Sequence, residues 1–222
     1  MVNIIKKALA KGQKTLSEYE SRLVIESAGV FVSAAELVQT REEAVRAAET
    51  MGFPVVMKGC SAELAHKTEA GMVALNINSA QDVARVFDEL TGKANNLDGV
   101  LVEKMVRGNR EFVIGLSRDP QFGPCVMFGL GGIFTEALKD VTFRVAPLTR
   151  EDALEMIDEI KTKKLLDEFR GSPAVDRDAL AKALIGVGDL GVQYDDIAEI
   201  DINPLIVCGD KPVAVDALVV LK

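Results

Sequence analysis

The sequence has no tryptophan, two tyrosines, three cysteines and a single histidine. Each scarcity removes options. Cys60, Cys125 and Cys208 are odd in number and far apart, so they offer neither a disulfide framework nor a CxxC metal knuckle, and a reducing cytoplasm is the simplest setting. The net charge is −8, and no run of Lys/Arg is interleaved with aromatics; a nucleic-acid backbone would be repelled over most of the surface. The basic start MVNIIKKALAKGQK has no apolar stretch behind it. The longest uncharged run, Pro120 to Thr135, is broken by Gly and Pro and falls short of a ~20-residue span, so neither a leader peptide nor a membrane helix is expected. A P-loop is absent too, and GLGG at 129–132 lacks the third glycine of a dinucleotide fingerprint, so any nucleotide must be held by another device.

What is present suffices for a sizeable core: 222 residues, 48% of them hydrophobic, enough for one large domain or two small ones at roughly 100–200 residues each. Capping boxes announce helices at Ser17/Glu20, Thr40/Glu43, Ser79/Asp82 and Thr149/Asp152. Gly29, Gly52, Gly92 and Gly191 stand where helices should end. Between them lie β-type runs at 53–58, 71–77, 99–106, 110–116, 124–130 and 141–146, and a final pair, IAEIDINPLIVC and PVAVDALVVL. Helices and strands alternate irregularly, which predicts α+β lobes with antiparallel sheets rather than a βαβ winding. The polar stretch TGKANNLDG at 91–99 suggests a smaller N-terminal lobe over 1–95 and a larger one over 96–222.

The last two runs carry geometric information. If Gly209-Asp210 makes a two-residue turn, Cys208 faces Lys211 and, further along, Asn203 faces Asp216. Asp201 shares their face because side chains alternate. Two carboxylates and an amide oxygen are hard donors of the kind Mg²⁺ takes, although a polar sheet edge would show the same residues. Lys58 ends an apolar strand, and Glu103 shares a strand face with Leu101 and Met105; each places a charge where burial is expected, or else reads as an edge residue. Arg144 in VTFRVA fits a solvated face or a phosphate clamp equally.

Taken together, FPVVMK, SAELAHKTEAGMV, LVEKMVRGNREFVIG, DPQFGP, FGLGGIFTEALKD, FRVAPL and EIDINPL with VAVDA resemble, in the same order from about Leu16 onward, the β subunit of ADP-forming acetate (acyl) CoA ligases. The resemblance implies an ATP-grasp fold, two lobes gripping ATP between antiparallel sheets. It implies Lys58 on the nucleotide phosphates, the strand from Glu103 to Val106 as adenine hinge, and Glu111 at the ribose. It further implies Mg²⁺ on Asn203 and Asp216 with Asp201 nearby, and Arg144 with the Gly131-Gly132 loop near the transferred phosphoryl group. His66 falls in the motif whose histidine relays phosphate to ADP, the reaction being acid + CoA + ATP to acyl-CoA + ADP + phosphate, and a separate α subunit would supply CoA binding, with α2β2 stoichiometry. A nucleotide-binding regulatory module without the relay, or a succinate-type CoA ligase β subunit, is the alternative; the HK motif and short chain argue against the latter. The family usually has two glycines where this chain has Gly71-Met72, and a methionine forced to φ > 0 there would be strained. It also tends to place glycine where Glu168 precedes Arg170-Gly171.

Overall fold

The computed structural model describes residues 2–63, 71–94, 96–132, 139–168 and 171–222. The elements are α1 (Val2–Ala10), α2 (Glu18–Ser27), β1 (Ala35–Val38), α3 (Arg41–Met51), β2 (Val55–Cys60), β3 (Val73–Ile77), α4 (Ala80–Lys93) and β4 (Gly99–Lys104). They continue with β5 (Glu111–Asp119), β6 (Gly123–Leu130), β7 (Val141–Val145), α5 (Arg150–Glu159), a 3-10 turn (Lys163–Leu166), α6 (Arg177–Gln193), β8 (Ile197–Cys208), β9 (Lys211–Ala214) and β10 (Leu218–Leu221). No helix among the described residues is long and apolar enough to cross a membrane.

The chain forms two compact units. The smaller comprises Thr15–Tyr19 and Ser33–Met105. Its antiparallel sheet runs β1-β4-β2-β3, and β2 is buried along its whole length. Val83, Val86, Phe87 and Leu90 recur at helical spacing on α4 and meet Ala44, Ala47 and Ala48 of α3 in one core with Val55, Met57, Val100 and Val102 of the sheet. Thr40 closes a full capping box with Glu43, and the Ser79 hydroxyl accepts from the Asp82 N–H, as the sequence predicts.

The larger unit comprises Met1–Lys14, Glu20–Val32 and Val106–Lys222. Its sheet runs β10-β8-β5-β6-β7, with β9 added on β8. Alternation sorts the side chains. Leu116, Val126 and Thr142 lie toward α5 and α6: Thr142 Oγ1 donates to Met156 O, and an atom placed at the missing Cβ of Gly191 would lie 2.5 Å from Leu116 Cδ1. Phe112 and Phe128 stack at 5.6 Å between ring centroids on this buried side. Glu111, Gly115, Met127, Phe143 and Asp201 fall on the opposite face, since cross-strand partners share a face.

Contacts therefore divide the chain differently from the 95/96 boundary expected above. β4 is an interior strand of the smaller sheet, pairing with both β1 and β2, and it carries that unit past the polar stretch to Met105; residues 1–14 and 20–32 pack instead with the C-terminal strands. Two expected helix ends also move. Gly52 caps α3, but Gly92 and Gly191 lie inside α4 and α6, Gly191 because the absent side chain lets α6 press onto β5.

Candidate active site

In the smaller unit, Lys58 is buried on β2. Its Nζ lies 2.7 Å from Glu18 Oε1 and 2.9 Å from Glu103 Oε2, and the Ser33 hydroxyl donates to the other Glu103 oxygen. A charge on an interior strand is thus tolerated because two carboxylates accompany it. Lys104, the next residue, points elsewhere and donates to Met51 O and Gly52 O at the end of α3. Met105 N donates to Pro54 O, and Val106 is the first residue of the larger unit.

Of the predicted residues of the larger unit, Glu111 and Asp201 fall on the sheet face opposite α5 and α6. After β6 the chain turns at Gly131 and Gly132, where Gly131 N donates to Glu111 O and Gly132 N to Asn203 Oδ1 at 3.2 Å. Only glycine fits. A Cβ at Gly131 would meet Phe112 O at 2.4 Å, and one at Gly132, with φ +68°, would meet Glu111 Oε2 at 2.2 Å. Glu111 therefore touches both glycines, and Gly132 in turn reaches Asn203.

The closing hairpin has the register expected from its turn: Cys208 pairs with Lys211 and Leu205 with Ala214. Val215 N donates to Pro204 O at 3.3 Å, one step short of Asn203 and Asp216. Proline at 204 does not disturb this ladder. The irregularity falls on the other side of β8, where pairing with β5 shifts between Phe112 and Ile114 and buried positions pass from Ile200 and Ile202 to Leu205 and Val207. Burial, then the charges of Glu199 and Asp216, push the Asp201 carboxyl up to about 6. Among the described residues no three His, Cys, Asp or Glu side chains gather at metal-holding distances. The set here is mixed, Asp201, Asp216 and the Asn203 amide, all oxygen donors; burial is the main cause that lifts Asp201, and the added negative charge beside it is of the kind a hard divalent cation would offset.

Arg144 is placed otherwise than the resemblance implies. Like Thr142 it projects to the α5 side of β7, donating to Glu159 at 3.0 and 2.6 Å with Glu155 at 3.5 Å, so it lies on the far side of the sheet from Asp201. These acids hold its guanidinium above its ordinary value, Glu159 first. Met72 is not strained. It adopts no positive φ, lies in the core, and sets its Cε where Gly59 lacks a side chain. His66, the rest of the glycine loop from Ile133, and Arg170 lie outside the described residues.

Sequence reasoning missed two supporting residues. Asp140 takes hydrogen bonds from Lys161 N, Thr162 N and Thr162 Oγ1; burial acts to raise its carboxyl, but these bonds prevail and hold it below the ordinary carboxylate value. Its own carbonyl accepts from Leu130 N, fixing the return of the chain beside the glycine turn. Arg110 is buried and donates to four carbonyls, Leu165, Asp167, Pro173 and Gly209, tying the closing hairpin's turn to the segment after α5. No local pattern announces either, since their partners are distant in sequence.

Two antiparallel sheets with helices on one side, and this convergence at the end of β8, define an ATP-grasp protein: residues 7–221 match the ATP-grasp domain family. Within that class the chain belongs to the β-subunit family of ADP-forming acetate–CoA ligases. It is 44% identical to acetate–CoA ligase (ADP-forming) I subunit beta of Pyrococcus furiosus, over 98% of this chain and 96% of that one. It is also similar to Ca. Korarchaeum cryptofilum dinucleotide forming acetyl-coenzyme A synthetase 1 in complex with coenzyme A, Ca-AMPCP and HgCl+, with TM-score 0.94, 42% identity and 99% of each chain covered. The same enzyme with coenzyme A and Mg-AMPPCP, its phosphohistidine segment pointing towards the nucleotide binding site, matches with TM-score 0.87 and 43% identity over 99% of each chain.

Proposed function

We propose that this chain is the nucleotide-binding β subunit of an ADP-forming acyl-CoA synthetase, an acid–thiol ligase that moves a phosphoryl group between ATP/ADP and a histidine relay. The observation that carries the residue assignment is the contact of Gly132 N–H with Asn203 Oδ1 beside Glu111, which joins the glycine turn and the closing hairpin into one site. Lys58 binds nucleotide phosphate, the strand Glu103–Val106 offers the adenine edge, and Glu111 accepts from the ribose hydroxyls. The N–H groups of the glycine turn face the phosphoryl group being transferred. Asn203, Asp216 and Asp201 hold Mg²⁺, which, when bound, neutralises charge on the phosphates.

His66 is the nucleophile: its neutral imidazole takes phosphate as a phosphoramidate and yields it to ADP, dividing one long transfer into shorter ones. An α subunit carries the CoA and acyl sites, in an α2β2 assembly. Arg144, facing α5, orders that helix rather than the phosphate. The free thiols Cys60, Cys125 and Cys208 suit the cytoplasm.

The test mixes the chain with its α subunit and measures acid- and CoA-dependent ADP formation from ATP, with acid-labile phosphate labelling of the β chain. Label in the wild type and none in His66→Ala is expected. Intact nucleotide binding without ligase activity in the complete assembly would refute the reading.

A further inference from the structure

Three successive N–H groups hang the glycine turn from three different parts of the sheet. Leu130 N donates to Asp140 O at 3.1 Å, Gly131 N to Glu111 O at 2.9 Å and Gly132 N to Asn203 Oδ1 at 3.2 Å. The second acceptor stands in β5 and the third in β8, both interior strands. The first stands at the mouth of β7, an edge strand, and a strand end with a single neighbour is where pairing frays first.

Asp140 is held against that tendency from outside the sheet. Its buried carboxylate accepts from Lys161 N at 2.7 Å, Thr162 N at 2.8 Å and Thr162 Oγ1 at 2.5 Å, just past the end of α5. Lys139, the residue before it, takes a left-handed φ of +47°, a conformation that a residue other than glycine keeps only where its surroundings impose it. The stretch that supplies the donors is itself fixed, since Arg110, next to Glu111, donates to Leu165 O and Asp167 O and also to Gly209 O in the closing hairpin. The glycine turn is thus joined to that hairpin twice. One link is direct, Gly132 to Asn203; the other runs through Leu130, Asp140, Thr162, Leu165, Arg110 and Gly209, each bonded to the next.

We propose that Asp140 is a positioning residue for phosphoryl transfer, acting through Leu130 to set where the glycine turn stands. The inference rests on the reading of that turn as the neighbour of the transferred group. Displacing such a turn costs rate more than it costs nucleotide binding, because only in the transition state does the moving group depend on its placement. An amide at 140 would turn its NH2 toward Lys161 N–H or toward Thr162 N–H, donor against donor whichever way it is flipped; the Thr162 hydroxyl alone can reverse and accept.

The experiment follows single-turnover phosphoryl transfer in the complete assembly with the α subunit, beside calorimetric titration of the full-length chain with Mg-ADP. Asp140→Asn, checked as folded by circular dichroism, is expected to slow transfer about tenfold while Mg-ADP affinity stays within about twofold. Thr162→Val removes one of the three bonds and should slow transfer about threefold, whereas Thr162→Ser keeps the hydroxyl and should transfer at the wild-type rate. A merely structural role would lower stability in Asp140→Asn and Thr162→Val and leave the rate of the folded protein alone. Wild-type transfer in folded Asp140→Asn, or transfer and affinity falling in the same proportion, would overturn the proposal. Should that variant not fold, the Thr162 pair decides: slow transfer in Thr162→Val beside normal transfer in Thr162→Ser supports it, and equal rates in the two overturn it. An inactive wild-type assembly would sink the ligase reading instead, and this inference with it.

Discussion

The two units solve opposite electrostatic problems. In the smaller, Lys58 comes with buried counterions, Glu18 and Glu103; in the larger, burial first, and then the charges of Glu199 and Asp216, lift Asp201 to about 6. The first cluster pairs opposite charges inside the fold. The second takes a carboxylate out of water beside two others.

The sharpest way to break this contrast is to remove the cation from the compensated cluster. Lys58→Met leaves two buried carboxylates facing each other, and chemical denaturation should show a loss of about 3–5 kcal/mol. A loss below 1 kcal/mol would mean that Glu18 and Glu103 are not close partners in solution.

The opposite sign is expected in the other cluster. Because the folded-state pKa of Asp201 is raised, the native protein binds its proton more tightly than the unfolded chain; stability without metal is therefore highest below the unfolded value near 4 and is lost as pH rises through about 6. Asp201→Asn should stabilise the metal-free protein at pH 8 by about 2 kcal/mol and flatten that pH dependence, while weakening Mg²⁺-dependent nucleotide binding. A destabilised Asp201→Asn at pH 8 would contradict the like-charge picture.

Smaller effects follow for the remaining contacts. Asn203→Ala removes the acceptor for Gly132 N–H, and thermal unfolding should report a loss of about 1 kcal/mol, with Mg-nucleotide affinity falling more than stability does. Arg144→Met breaks a half-exposed pair with Glu159 and should cost under about 1 kcal/mol, with phosphoryl transfer within about twofold of wild type. A thousandfold loss of transfer would return Arg144 to the phosphate, against its placement.

Much of this was legible where chemistry is local. Two of the expected capping boxes close fully, at Thr40 and Thr149, Ser79 caps α4 from its own side chain, the β-type runs became strands, and the final hairpin's register followed from Gly209, which takes φ +65° in the turn. On β8 the same local rule sets the face of Asp201 opposite Gly115, while Asn203 falls where the pairing with β5 shifts and is located instead by Gly132 N–H. What failed depends on distant partners. Nothing in VTFRVA says which face of its strand α5 will cover, so Arg144 could not be assigned by alternation alone. Strand β1 was missed because AELV is short and only half-buried. Glu18 carried no local signal, since its partner lies 40 residues away.

The meeting of Met72 with Gly59 sets a rule of exchange. The methionine's terminal methyl lies 2.2 Å from where a Cβ at 59 would stand, an overlap, so the two sites share a single allotment of space. Enlarging position 59 alone should expel the thioether, and trimming 72 alone should leave a hollow; a shorter apolar side chain at 72, such as Met72→Val, is what should let Gly59→Ala be accommodated. Variation on the strand bearing Lys58 is thereby yoked to variation at the exit of the segment bearing His66, though neither residue of the pair does any chemistry itself.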